Sequence, residues 1–131
     1  MDAHTVITNY YAAFNAGDFA GMLDMVTDDF THDPNQGPRR VGKILFSEFL
    51  AKMDRCYREQ VVDLVVMVHG NRAAAEFMIN GNYLVAEDAL PPARGQAYRL
   101  PVGAFFDLHD GKIARVTNYY NLEDWLAQVA K

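Results

Sequence analysis

The apolar spacing changes period midway along this 131-residue chain, and that change limits the fold more than any other feature. Early on, Val6, Ile7, Tyr10, Tyr11 and Phe14 recur at helical spacing, and Leu45, Phe46, Phe49, Leu50, Met53 and Tyr57 form a second such stripe. From Val61 onward the pattern alternates, as in strands with one covered face. Helices first and antiparallel strands afterwards predict an α+β domain, with the helices packed on one face of the sheet.

The punctuation supports this reading. Gly17 sits where the first helix breaks, and Asp18 can cap a short second helix carrying Phe19, Met22, Leu23 and Val26, closed by Asp28-Asp29-Phe30. Thr31-His32-Asp33 reads as a short extended piece, because Pro34 biases Asp33 away from helix. Asn35-Gln36-Gly37-Pro38 is a turn, and a third helix is predicted from about Gly42 to Glu59. Strands are predicted over Val61–His69, Ala73–Val85, Ala97–Leu108 and Lys112–Asn121, with turns at Gly70-Asn71 and Asp110-Gly111. Glu87–Gly95 is a loop, and Leu122–Ala130 a closing helix with Trp125. No repeat or linker divides residues 1–131, so a single domain is expected.

Alternation also assigns faces. Phe77, Ile79, Gly81 and Tyr83, then Tyr98, Leu100, Val102, Ala104 and Phe106, then Val116, Asn118 and Tyr120, are predicted to face the helices. Met78, Phe105 and Tyr119 remain on the other side, which predicts a homodimer through the outer sheet face.

Half the residues are apolar and the net charge is −5, which argues against nucleic acid and anionic membrane surfaces as partners. The lone cysteine, Cys56, allows no intrachain disulfide and reads as a structural thiol. Met1-Asp2-Ala3-His4 begins neither a signal peptide nor a membrane span, so a cytoplasmic protein is expected. His4, His32, His69 and His109 show no ligand spacing, and His32 alternates away from Asp33 to surface or turn; neither a metal nor another cofactor is expected. Arg39 and Arg40 read as solvated surface, with anion capture as the lesser option.

Tyr10-Tyr11-Ala12-Ala13-Phe14-Asn15-Ala16-Gly17-Asp18, followed by Asp28-Asp29, Asp33-Pro34 and Gly37-Pro38-Arg39-Arg40-Val41-Gly42, resembles the ketosteroid isomerase branch of the nuclear-transport-factor-2-like superfamily. Leu90-Pro91-Pro92-Ala93-Arg94-Gly95 with Asp110-Gly111-Lys112-Ile113 resembles the SnoaL-like polyketide cyclases of the same superfamily. The resemblance implies a cone, in which a strongly curved mixed or antiparallel sheet wraps the helices around an apolar pocket. It implies Asp33 as a general base and Tyr10 as an oxyanion donor; on the assigned faces, Phe14, Phe77, Ile79, Val102 and Phe106 wall the pocket and Tyr98, Asn118 and Tyr120 are the neutral donors available to a small apolar carbonyl compound. Val102 stands where the isomerases carry a second Asp.

The implied activity is proton abstraction α to a carbonyl. The alternatives are an aldol-type cyclase, or a module that binds without turnover. Asp33 equally suits bracing the Pro34 turn, Tyr10 equally suits core packing, and Tyr11 is the neighbouring candidate phenol.

Overall fold

The computed structural model describes residues 1–131. In chain order the elements are α1 (Ala3–Ala16), α2 (Phe19–Asp24), β1 (Val26–Asp33), β2 (Arg40–Val41), α3 (Lys43–Cys56), β3 (Tyr57–His69), β4 (Arg72–Tyr83), β5 (Gln96–His109), β6 (Lys112–Tyr119) and α4 (Leu122–Val129). Asp2 caps α1 by accepting from the Thr5 N–H, and Gly17 ends it at φ 69°, a conformation glycine adopts without a Cβ penalty. Asp18 caps α2 through the Gly21 N–H.

The six strands form one open mixed sheet in the order β2-β1-β6-β5-β4-β3. β1 runs parallel to β6 and every other pair is antiparallel. Register shifts in β3 between Val62 and Val65 and in β5 after Asp107 increase the local twist, so the sheet curls around α1 and α3. Asp63 adopts φ 55° at the β3 shift, an excursion that aspartate tolerates better than most residues. This is the expected cone. No helix is long and apolar enough to cross a membrane.

The covered face is a continuous core. Val6, Ile7, Tyr10 and Tyr11 of α1 pack with Phe77, Leu100, Ala104, Phe106 and Val116 of the sheet. The faces expected for β4, β5 and β6 are those observed. Asn15 fastens α1 to β3: its amide donates to the Val61 carbonyl at 2.9 Å, and its carbonyl accepts from the Val61 N–H at 2.8 Å. That explains the asparagine before Gly17 as a structural clamp. Asn15→Ala leaves both backbone groups unpaired, and a loss of about 1–3 kcal/mol is expected in urea unfolding.

Two boundaries differ from expectation. The second helix stops at Asp24, and Val26 already begins a strand. Val26 and Phe30 are four apart, a spacing that satisfies both periods, and pairing with β6 decides for strand. Likewise α3 ends at Cys56, because Tyr57, Glu59 and Val61 alternate inward and pair with Tyr83, Gly81 and Ile79. Both differences move side chains that matter for the site.

Candidate functional site

The structure separates Asp33 from Tyr10. Phe30 and His32 are buried on the helix side of β1, so alternation points Asp33 outward. There its carboxylate accepts from Arg39 Nε and Nη2 at 2.7 and 2.9 Å, and from Thr117 Oγ1 at 2.6 Å. Those bonds, Arg39 first, hold its pKa at about 2. The expectation that Asp33 faces the pocket is thus corrected: beginning the strand at Thr31 hid the parity that Phe30 sets. The same parity sends His32 inward, against the expected surface or turn position.

Tyr10 is buried edge-on to Tyr11 and Phe106, with ring centroids 5.2 and 6.1 Å away, and its hydroxyl bonds no protein group. Burial pushes its pKa up. Tyr11 packs against Phe77 at 4.8 Å. Phe77, Val102 and Phe106 are buried members of the same core, and Ile79 packs against it. Asn118 on the inner side of β6 and Tyr120 just past its end are half-buried, and the Tyr120 N–H donates to Asn35 Oδ1. Phe14 and Tyr98 belong to a second grouping.

That grouping is a row across three strands. Glu59 on β3 pairs with Gly81 on β4, which pairs with Tyr98 on β5. The Tyr98 ring lies across Gly81, and its hydroxyl donates to Glu59 Oε2. A Cβ at position 81 would lie 2.4 Å from the ring carbon bearing that hydroxyl, so only glycine admits the crossing. Trp125 of α4 packs edge-on to Tyr98 at 6.0 Å. Gly81→Ala is expected to cost about 1–3 kcal/mol by overpacking and to break the Tyr98–Glu59 bond. Urea unfolding of Gly81→Ala, Tyr98→Ala and the double variant checks this: with Tyr98 truncated, the penalty of Gly81→Ala should shrink.

Glu59 opens onto a cleft of about 250 Å³ between the C-terminal end of α1, α3 and β3, walled by Phe14, Phe19, Leu50, Met53, Tyr57 and Leu84. Burial lifts its pKa above the usual glutamate value of 4.5, and the Tyr98 hydrogen bond opposes that rise only in part. Tyr98 is pushed up as well, by burial and then by the Glu59 charge, so it remains a protonated donor. Tyr120 is raised by burial and then by the charges of Glu59 and Glu87.

A second knot lies beside the first. The Tyr57 hydroxyl donates to Glu87 Oε2, and Lys52 Nζ lies 2.7 Å from Glu87 Oε1. Tyr83 stacks on Tyr57 at 5.5 Å, donates to the Pro91 carbonyl at 2.6 Å and accepts from the Glu87 N–H at 3.1 Å. The loop between β4 and β5 is thereby tied over the inner face. No group of three or more His, Cys, Asp or Glu side chains converges to hold a metal.

Sequence reasoning missed Glu59 and Tyr57, because the helical stripe was carried too far. The available signal was the alternation Tyr57-Glu59-Val61, which continues the strand upstream.

A family model described as the SnoaL-like domain matches residues 7–116. A proposed polyketide cyclase from Pseudomonas putida KT2440 is 56% identical in sequence, with 98% of each chain covered and a TM-score of 0.97. Another proposed polyketide cyclase, from Xanthomonas campestris pv. campestris, is 50% identical, covering 97% of this chain and 96% of that one at a TM-score of 0.94. A Catenulispora acidiphila protein of ketosteroid isomerase-like fold, solved with trimethylamine, shares the fold at a TM-score of 0.79 and 18% identity, covering 95% of this chain and 92% of that one. No curated protein matches the chain.

Proposed function

Since the chain belongs to the SnoaL-like domain family, we propose that it acts on a small carbonyl compound, with Glu59 as the base that removes a proton from the carbon α to the carbonyl. The observation that carries this reading is a carboxylate with a raised pKa, held by Tyr98 at the wall of a cleft lined by both apolar and polar side chains. Raising a carboxylate above its usual range makes it the stronger base, the direction that general-base catalysis requires. Glu59 thus takes the role that the family resemblance gave to Asp33.

The cleft, at about 250 Å³, is smaller than the roughly 300–1,000 Å³ of sites for drug-sized ligands, so the substrate is small. Aldol-type ring closure is the onward step favoured by the relatives at 56% and 50% identity, which are proposed polyketide cyclases. It begins from the same enolate, whose carbon then attacks a second carbonyl of the same molecule.

Deuterium exchange followed by NMR tests the proposal on small 1,3-diketones and 3-keto esters. Exchange at the central methylene above the buffer rate is expected, and substrates bearing a further carbonyl should show a new carbon–carbon bond. Buffer-rate exchange across the panel would leave binding without turnover.

We also propose that the outer sheet face joins two copies. Val65, Met67, Phe105 and Tyr119 are exposed there, beside an open groove of about 610 Å³. Asp33, Arg39, Asp107, Arg72 and Arg115 add both signs of charge to the same face, as a self-complementary contact requires. Light scattering should give twice the chain mass, and Phe105→Glu should give the monomer.

A further inference from the structure

The inner end of the sheet holds a cation without a partner. Arg40 sits on β2 opposite His32 on β1 and faces inward. Its guanidinium lies 5.7 Å from the centre of the Phe49 ring and makes no hydrogen bond or ion pair with the protein, and its Nε is buried. Lys52 Nζ lies 6.0 Å from the same ring. His32, only 2% exposed, packs against Phe49 at 4.5 Å, and its Nδ1 also lacks a partner. Two cations and a buried imidazole therefore surround one aromatic ring, and the single carboxylate in contact with them is Glu87 on Lys52.

An unpaired, largely covered guanidinium is costly unless an anion completes it. Its planar fork suits a carboxylate held by two parallel bonds. Glu87 does not supply them: it reaches Lys52 and Tyr57 but not Arg40. It comes from the loop between β4 and β5, whereas Arg40, Phe49 and Lys52 stand on β2 and α3, so only the Glu87 side chain need turn aside to free them.

We propose that Arg40 and Lys52, on either side of Phe49, bind the carboxylate of an acidic ligand, which displaces Glu87. The Tyr57 ring lines the cleft beside Glu59 while its hydroxyl reaches the Glu87 position. A ligand whose carboxylate takes the Glu87 position meets the Tyr57 hydroxyl, and the Tyr57 ring is the link to the cleft onto which Glu59 opens. The substrate class becomes a small carbonyl compound that also carries a carboxylate; that identification rests on the proposed role of Glu59, whereas the anion subsite does not.

The test compares benzoate with its neutral isostere benzamide by NMR titration of the full chain. Benzoate is expected to bind at least about tenfold more tightly, in line with a charge-assisted hydrogen bond. Arg40→Gln should abolish the preference, and Lys52→Gln, at a partly exposed position, should reduce it even if the arginine variant does not fold. Glu87→Gln should strengthen benzoate binding, because it removes the competing carboxylate; general damage to the site would weaken it. Glu59→Gln should keep the preference, so loss of turnover and loss of the anion subsite are separable. Equal affinity for the two probes, no benzoate binding, a preference unchanged in Arg40→Gln, or weaker binding in Glu87→Gln overturns the proposal.

Discussion

Glu59→Gln is expected to lower catalysed deuterium exchange by about 100- to 10,000-fold, the usual contribution of a positioned general base. The amide has nearly the same shape, and its oxygen can still accept from Tyr98, so the row across Gly81 survives. Ligand affinity should change little while turnover collapses. Stability should hold or rise slightly at neutral pH. The folded protein holds the Glu59 proton more tightly than the unfolded chain does, so the ionised carboxylate is a net cost above its pKa, and an amide lacks that cost. Asp33→Asn provides the contrast. It loses a partly exposed pair with Arg39 on the far side of the sheet, and exchange should continue near the wild-type rate. Collapse of exchange in Asp33→Asn, with Glu59→Gln unaffected, would restore the role first implied for Asp33.

Acid should weaken the fold through His32, by about 3–4 kcal/mol between pH 6.5 and pH 4. Burial, and then the Arg40 charge, lowers its pKa from 6.5 to about 4. The unfolded chain takes up the proton near pH 6.5, whereas the folded one resists until about pH 4. The contribution is therefore complete above pH 6.5, falls as pH drops through that window and is constant below it. At about 1.4 kcal/mol per pH unit, the difference between 6.5 and about 4 gives the figure quoted. Asp33 adds a later loss, because its lowered pKa means that its stabilisation disappears only between about pH 4 and pH 2. Glu59 works in the opposite sense, favouring the fold as pH falls. Urea midpoints for wild type and His32→Phe separate these contributions. The variant places a third ring beside Phe46 and Phe49 and should flatten the profile between pH 6.5 and 4. Parallel profiles for the two proteins would mean that His32 is protonated in the fold.

The parts of this fold that were legible in the sequence are those with long, unambiguous periods. Tyr98 to Phe106 alternates without interruption, so its inner face could be read directly, and Phe77 to Tyr83 follows the same rule. Two short segments were not legible. Val26 and Phe30 satisfy both periods, and only the ladder to β6 decides that they belong to a strand, which turns His32 inward and Asp33 outward. Tyr57 ends an apolar helical stripe and also begins an alternating one, so Glu59 was assigned to helix. The crossing of Tyr98 over Gly81 was beyond any local reading, because it depends on the register of three strands whose residues are far apart in sequence. The family resemblance supplied the cone, but matching by position carries no strand parity, and parity is what turns Asp33 away from the helices.

Carbon-13 NMR titration of the side-chain carboxyls in the ligand-free protein, assigned with Glu59→Gln and Asp33→Asn, tests the central claim most directly. The account requires Glu59 to titrate above 4.5 and Asp33 near pH 2, with a small 1,3-diketone shifting the Glu59 resonance and leaving Asp33 unmoved. A Glu59 midpoint at or below 4.5, together with a ligand-responsive Asp33, would contradict it and return the chemistry to the other face of the sheet.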